Sequence, residues 1–286
     1  MRILKRVVSL QRHLSTIKEE GLTIGFIPTM GALHKGHMSL VEQSAKENDI
    51  TVVSIFVNPT QFNQKDDLEK YPRDLHKDAT LLKHHGCDYL FAPLDSQIYP
   101  PDLNTNVYID IVHLTDLMEG PNRPGHFEGV VQVVKRLLDI VEPDRLYMGQ
   151  KDYQQFTIIQ YVLKGLEIGV QLRVCPIMRE EDGLAMSSRN VRLTSEYRNR
   201  GSVIHKTLQW AKSQILQSPI SEIESNAIKK IEEMGLKPEY FSIVDGHKLT
   251  PVTDPSQHNV IVACTAAWAG EVRLIDNMIL KGEINI

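Results

Sequence analysis

Residues 26–37 read FIPTMGALHKGH, and this stretch decides the fold that the sequence predicts. An apolar run ends at Pro28, and a loop of small residues separates it from a His-x-Gly-His element. The residues that follow place apolar side chains at helical spacing, among them Met38, Val41 and Ala45. This order predicts a buried parallel strand, a tight turn and the start of a helix.

The predicted turn suits a phosphate, because the start of a helix presents unpaired N–H groups and the positive end of the helix dipole. His34 and His37 lie three positions apart, so their rings share one helix face, and Gly36 allows a ligand to approach the backbone. We interpret the segment as a nucleotide site whose imidazoles face the phosphates. A purely structural turn stays open, and so does a zinc site, although no Cys or Glu nearby has metal-ligand spacing.

A second segment, residues 186–190 (MSSRN), follows an apolar run and a charged turn. Its hydroxyls, backbone donors and guanidinium suit phosphate oxygens on which negative charge develops, although a serine–arginine loop alone is more typical of a solvated surface. An early His-x-Gly-His turn paired with a late Met-Ser-Ser-Arg loop resembles the nucleotidylyltransferases and class I aminoacyl-tRNA synthetases. In those proteins the two motifs bind ATP from two sides and promote attack on its α-phosphorus.

Further segments narrow the resemblance. They are residues 56–62 (FVNPTQF), 71–73 (YPR), 123–130 (RPGHFEGV), 149–155 (GQKDYQQ) and 273–277 (RLIDN). This set, in this order along nearly the whole chain, resembles the pantothenate synthetase (pantoate–β-alanine ligase) family. Two positions depart from the family: Gln150, where it usually has Glu, and Gln132, where it more often has Thr. Neither departure removes a group that we assign to chemistry.

The resemblance implies that ATP activates (R)-pantoate as pantoyl adenylate and that β-alanine then displaces AMP. It marks His37 as a proton donor, acting with His34, Lys151 and Arg189. The residues implied to bind ATP are Met30, Gly31, Ala32, Leu33, His34, Lys35, Gly36, His37, Gly149, Gln150, Lys151, Asp152, Met178, Met186, Ser187, Ser188 and Arg189. Those implied to bind pantoate and β-alanine are Pro28, Thr29, Met30, Asn58, Gln61 and Gln155. Asp78 is the family-matched candidate for Mg²⁺, together with the ATP phosphates.

The fold class is predicted from runs that are apolar throughout and alternate with helical patterns. These runs are residues 22–27, 50–57, 89–92, 145–148 and 170–177. Such strands are covered by helices on both faces, so we predict an α/β fold with a Rossmann-like, doubly wound parallel sheet. Ligands of these sheets bind beyond the carboxyl ends of the strands, and the motifs at Pro28, Asn58 and Gly149 each follow such a run.

The rest of the chain has a different pattern. Helices are predicted near residues 195–216 and 221–234, and short strands at residues 240–244, 260–264 and 272–275. Ser221 and Glu224 have the spacing of a capping box at the start of the second helix. We therefore predict two domains, a Rossmann-like ATP- and pantoate-binding domain over residues 1–177 and a smaller C-terminal α+β lid domain over residues 178–286.

Composition agrees with a soluble enzyme. The chain has 286 residues, of which 42% are hydrophobic, and a formal net charge of −4, so no basic stripe predicts nucleic-acid binding. It has no apolar run of membrane-spanning length and no signal-peptide core, and three widely spaced cysteines predict buried free thiols in a reducing cytoplasm. The family resemblance also implies a homodimer.

Three classes of function remain at this point: the ATP-dependent ligase, a nucleotidylyltransferase that adenylates a phosphorylated acceptor, and a non-catalytic nucleotide-binding regulator. The neutral amides of Gln61 and Gln155 oppose the second, because a phosphorylated acceptor would require additional Lys or Arg. His37 and Lys151 oppose the third, because a regulator would be expected to have lost one of them. A tRNA synthetase is disfavoured, since no anticodon-binding extension or basic face is recognisable.

Overall fold

Two sheets organise the protein, a computed structural model in which residues 1–62 and 68–284 are described. The first contains six parallel strands: β1 (Arg2–Leu4), β2 (Ile24–Thr29), β3 (Ile50–Ile55), β4 (Tyr89–Phe91), β5 (Arg145–Gly149) and β6 (Gln171–Cys175). The second is antiparallel, with strands β7 (Lys237–Asp245), β8 (Ile261–Ala269) and β9 (Val272–Lys281) in that order. The fold prediction of a parallel α/β sheet followed by a smaller α+β part is confirmed.

Helices connect the strands. They are α1 (Val7–Glu19), α2 (Lys35–Glu47), α3 (Leu75–Lys83), α4 (Asp95–Ile98), α5 (Val112–Thr115), α6 (Glu119–Asn122), α7 (His126–Val141), α8 (Tyr153–Gly165), α9 (Ser195–Arg200), α10 (Val203–Gln214) and α11 (Ile220–Glu233). In the described residues, no helix is both long enough and apolar enough to cross a membrane.

The strand order of the parallel sheet, β1-β4-β3-β2-β5-β6, reverses beside β2. From β2 the chain moves outward through β3 and β4, and it then returns to place β5 on the other side of β2. Ligands of doubly wound sheets bind at such a switch point, outside the carboxyl ends of the strands. Thr29 and Gly149 therefore end the two strands that frame the expected ligand crevice.

The central strands β2 and β3 are largely apolar because they are buried on both faces. Ile24, Phe26 and Ile27 of β2 have no exposed surface. Helix α2 packs onto this sheet through Met38 and Val41, which lie in one buried apolar cluster with Ile27. Burial of side chains of this size stabilises a fold by roughly 1.5–3 kcal/mol each, so this cluster fixes α2 and the turn before it.

The chain folds into two compact units, neither of which is continuous in sequence. Unit 1 contains residues 1–110, 123–149 and 158–175, and unit 2 contains residues 111–122, 150–157 and 176–286. Each unit has its own core, and that of unit 2 includes Leu208, Ala227 and Ile231 packed with its sheet. The assignment of ATP and pantoate binding to residues 1–177 and of a lid to residues 178–286 remains a prediction.

Two local features differ from the sequence analysis. Strand β1 pairs in parallel with β4 at the sheet edge, in a stretch where we predicted no strand. The predicted capping box at Ser221 is wrong, because α11 begins at Ile220 after Pro219 and has no side-chain cap. Glu224 instead accepts a hydrogen bond from the backbone N–H of Ile243, at 2.7 Å, and so ties α11 to β7.

Candidate active site

The loop after β2 contains two residues in the left-handed region of backbone conformation. Gly31 and Ala32 both have positive φ, 83° and 50°, which is a strained conformation for alanine. The Thr29 hydroxyl donates to the carbonyl oxygen of Ser54, at 2.7 Å, and accepts the N–H of Gly31, at 3.2 Å. The loop therefore leaves the strand in a defined direction before α2 begins.

Asp78, on α3, stabilises this loop through hydrogen bonds to its backbone. Its two carboxylate oxygens accept the backbone N–H groups of Ala32, at 2.9 Å, and Leu33, at 2.8 Å. The side chain is only 2% exposed, and burial raises the pKa of Asp78 although the two N–H groups lower it. A side chain at Gly31 would place its Cβ 3.0 Å from the carboxylate, so the glycine permits this close approach.

His34 and His37 cap the N-terminus of α2 with their rings. Nδ1 of His34 accepts the N–H of Gly36, at 3.1 Å, and Nδ1 of His37 accepts the N–H of His34, at 3.3 Å. The ring centroids are 4.1 Å apart. Because both Nδ1 atoms accept hydrogen bonds, a neutral ring must carry its hydrogen on Nε2. The sequence predicted that the two rings share one helix face; in the structure His34 precedes α2 as its extended N-cap residue, and only His37 lies within the helix.

Gln61 lies in a one-turn 3₁₀ helix (Pro59–Gln61) after β3 and is 8% exposed. Asn58 donates to the Gln61 side-chain oxygen, at 3.3 Å, and to the Gly129 carbonyl, at 3.1 Å. The ring Nδ1 of His126 donates to the Gln61 carbonyl, at 2.9 Å. The Gln61 amide nitrogen approaches the sulfur of Met30 at 2.9 Å. These contacts fix both the backbone and the amide of Gln61.

Gly129 allows this turn to pack against α7. A Cβ at this position would lie 2.6 Å from the carbonyl oxygen of Thr60 and 2.9 Å from the backbone nitrogen of Gln61. Both are backbone atoms and cannot rotate away. The glycine is therefore required for the close contact that places Gln61, a role that its segment did not reveal in the sequence.

In unit 2, a 3₁₀ turn (Gln150–Asp152) carries Lys151 directly before α8. The Lys151 ammonium lies 3.2 Å from the Asp152 carboxylate. Asn277, on β9, donates its side-chain N–H groups to the carbonyl oxygens of Gln150 and Lys151, both at 2.9 Å. Gln155 follows on the first turn of α8 and is partly exposed.

The Met-Ser-Ser-Arg loop, also in unit 2, leaves a short hairpin. Arg179 pairs with Ala185 across this hairpin, and the N–H of Met186 donates to the Met178 carbonyl, at 2.9 Å. Ser187 then caps a 3₁₀ turn (Ser188–Arg192), where its hydroxyl accepts the N–H of Arg189 at 3.2 Å. Both predicted serines thus occupy the start of this turn.

The structure groups the predicted site residues by unit. Unit 1 brings together the turn after β2, Gln61 with Asn58, Asp78 and the end of β5; its predicted residues are Pro28, Thr29, Met30, Gly31, Ala32, Leu33, His34, Lys35, Gly36, His37, Asn58, Gln61, Asp78 and Gly149. Unit 2 contains Gln150, Lys151, Asp152, Gln155, Met178, Met186, Ser187, Ser188 and Arg189. Among the described residues, no cluster of three His, Cys, Asp or Glu side chains could hold a metal ion alone.

Sequence comparison gives the same family along the chain. A family model described as pantoate–beta-alanine ligase matches residues 2–279. A pantothenate synthetase of Bacteroides fragilis is 45% identical over 287 residues, covering 98% of this chain and 99% of that protein. A pantothenate synthetase of Thermotoga neapolitana is 44% identical over 285 residues, with 98% and 100% covered.

Solved structures show the same fold. The pantoate–beta-alanine ligase of Thermus thermophilus superimposes with a TM-score of 0.91 at 38% identity, covering 98% of this chain and 100% of that one. The Francisella tularensis pantoate–beta-alanine ligase, crystallised with beta-gamma ATP and beta-alanine, gives a TM-score of 0.82 at 35% identity and covers 98% of both chains. Each likeness extends over both sheets and their helices.

Proposed function

This chain belongs to the pantoate–β-alanine ligase family, and from that premise we propose how its residues join pantoate to β-alanine with ATP. A carboxylate is a poor acylating agent, so the pantoate carboxylate first attacks the α-phosphorus of ATP, and pyrophosphate leaves. The amine of β-alanine then attacks the pantoyl carbonyl and displaces AMP. The observation that carries the proposal is the pair His34 and His37 at the start of α2, beside the switch point of the sheet.

We assign the stabilisation of the adenylation transition state to the turn before α2. Each imidazole is fixed through Nδ1 by a backbone N–H, so each Nε2–H serves as a donor to phosphate oxygens. The helix N-terminus contributes further N–H groups and a positive dipole. His37 donates to the charge that develops on the phosphate oxygens, and residues 30–36 line the nucleotide.

In unit 2, we assign Lys151 and Arg189 to the phosphates as cations and Ser187 and Ser188 as hydroxyl donors. Phosphoryl-type transfer needs positioning and charge neutralisation more than covalent help, and these groups supply both. Asp152 binds the adenosine ribose. The backbone of Gly149, Gln150, Met178 and Met186 completes the nucleotide contacts that the family resemblance implies.

We assign the binding of pantoate to uncharged side chains. Gln61 and Gln155 can bind its hydroxyls and carboxylate through amides, which leave the nucleophilic charge in place. We assign Pro28 and Thr29, at the end of β2, and the following Met30 to the same ligand. Asn58 is 1% exposed and donates to Gln61 and Gly129, so we assign it to holding Gln61.

We propose Asp78 as the protein ligand for a magnesium ion bound to the ATP phosphates. Each of its oxygens accepts one backbone N–H and has a further lone pair, and burial raises its pKa, so a cation would stabilise its charge. Mg²⁺ typically binds one or two carboxylates together with substrate phosphates, which fits a single acidic side chain. Such an ion supplies charge neutralisation at the phosphates.

The order of steps predicts a clear isotope result. Positional isotope exchange within ATP should require pantoate and should not require β-alanine, because adenylation is reversible before the amine reacts. Labelled ATP incubated with pantoate alone should therefore scramble its bridging oxygen, and omission of pantoate should abolish exchange. If exchange depended on β-alanine, the adenylate would not form first.

We propose further that the enzyme is a cytoplasmic homodimer. The described residues contain three cysteines, all buried and free, which suits a reducing compartment. The dimer is an expectation from the family. Sedimentation velocity at micromolar protein should show a species of twice the 32.5 kDa chain mass, and a single 32.5 kDa species would contradict this assembly.

A further inference from the structure

The segment RLIDN, residues 273–277, is part of the family resemblance, yet the roles assigned above do not include it. It lies on β9, which pairs with β8 in an antiparallel register that matches Asn277 with Cys264. Cys264 and its neighbours on β8 are buried, and Asn277 itself is 1% exposed. A buried polar side chain on a rigid strand is well placed to fix another segment.

The orientation of the Asn277 amide is determined by its three partners. Its Nδ2 group donates to the carbonyl oxygens of Gln150 and Lys151, both at 2.9 Å. Its Oδ1 atom accepts the side-chain N–H of Gln150, at 3.1 Å. A flipped amide would direct Oδ1 at two carbonyl oxygens, neither of which can donate, so only this orientation satisfies every group.

The backbone of Asn277 is fixed as well. Its N–H donates to the carboxylate of Asp276, at 2.8 Å, and that carboxylate binds both terminal nitrogens of Arg179, at 2.6 and 3.0 Å. The paired Arg179 and Asp276 are largely buried, with side chains 20% and 3% exposed. Asn277 is therefore held by the sheet on one side and by a bidentate ion pair on the other.

We propose that Asn277 is a positioning residue for adenylation, which acts by fixing the backbone from which Lys151 reaches the ATP phosphates. This inference rests on the proposed role of Lys151. A lysine side chain has four rotatable bonds, so its ammonium can be placed only if its backbone is fixed. Small displacements of a group that must meet a transition state can lower a rate by up to about a hundredfold.

The test is Asn277→Leu, which keeps the branched shape of asparagine but removes its donors and its acceptor. We expect pyrophosphate release in the absence of β-alanine, measured in a single turnover, to slow by roughly 10–100-fold. Pantoate affinity, measured by calorimetry on the folded variant, should stay within about twofold. The matched control is Asn226→Leu, the same change on the exposed side of α11 in the same unit.

A double-mutant cycle with Lys151→Ala separates positioning from a general structural role. If Asn277 acts through Lys151, then Asn277→Leu should slow the Lys151→Ala enzyme by less than about twofold further. A purely structural role would give the same loss in both backgrounds. Thermal melting of all variants establishes that each is folded at the assay temperature.

The outcomes distinguish the two proposals. Equal losses in both backgrounds, or a normal rate for Asn277→Leu, would overturn the role of Asn277 while leaving that of Lys151 intact. An unimpaired Lys151→Ala enzyme would overturn the role of Lys151 and this inference with it. If Asn277→Leu does not fold, the double-mutant cycle uses Asn277→Ser instead. This variant retains one small donor and should show a smaller loss of rate, and that loss should again disappear in the Lys151→Ala background.

Discussion

Replacement of His37 by alanine is expected to slow formation of pantoyl adenylate by roughly 10²–10⁴-fold. The physical reason is the loss of an Nε2–H donor that a backbone hydrogen bond to Nδ1 holds in place. ATP affinity should change much less, because the donor acts on charge that develops only in the transition state. Rapid-quench measurement of pyrophosphate release in a single turnover checks this result, and a near-normal rate would exclude the assigned role.

His37→Asn separates the chemistry of this ring from its structural contact. The asparagine oxygen can accept the N–H of His34 in place of Nδ1, so the cap of α2 is kept while the Nε2–H donor is lost. We expect this variant to melt close to the parent enzyme and to react as slowly as His37→Ala. Recovery of the rate in His37→Asn would show that the alanine variant failed through its helix cap.

Gln61→Ala is expected to weaken pantoate binding by about 1–3 kcal/mol, which corresponds to roughly 5–150-fold in affinity. In the proposed role of Gln61, its removal would leave a hydroxyl or the carboxylate of bound pantoate without a hydrogen-bond partner. ATP affinity should be largely retained. Calorimetric titration with each ligand measures both quantities.

The control for Gln61→Ala is Gln132→Ala, which removes a glutamine of the same unit that bonds to the Thr105 hydroxyl at 3.0 Å. This control should bind both ligands normally. If Gln61→Ala lost pantoate and ATP affinity equally, the change would be a folding defect. If pantoate affinity were unchanged, the pocket would lie away from Gln61.

Most of the parallel sheet could be predicted because its central strands, β2 and β3, are largely apolar runs between polar turns, whereas the exposed edge strand β1 was not predicted. The antiparallel strands were harder to delimit from the sequence. We predicted a strand over residues 260–264, but β8 extends to Ala269 through Ala266 and Ala267, which are fully buried. Alanine is depleted in strands, and Ala267 lies in one buried apolar cluster with Leu208 of α10 and Ile223 of α11, which is long-range packing that no local pattern records.

The candidate site could likewise be predicted only in part from the sequence. His34 and His37 could be found because their partners are two or three residues away, within one helix start. Asp78 was predicted only as a metal candidate, and its contacts with Ala32 and Leu33, 46 and 45 residues earlier, were not visible. Such pairings depend on how strands and helices assemble, so the sequence shows the residues without their partners.

One ion pair can form only late in the synthesis of the chain, because its two residues are far apart in sequence. Glu119 lies in a segment of unit 2 that ends at residue 122, before unit 1 resumes. Its carboxylate binds Arg273, 154 residues later, at 2.8 Å. A ribosome that adds about 5–20 residues per second needs roughly 8–30 s to make the intervening chain. Through that interval Glu119 has to remain hydrated, because a buried carboxylate without its guanidinium is strongly unfavourable. Cys175, the last residue of unit 1, is synthesised well before Arg273. The order of synthesis therefore allows unit 1 to fold before the ion pair between Glu119 and Arg273 forms in unit 2.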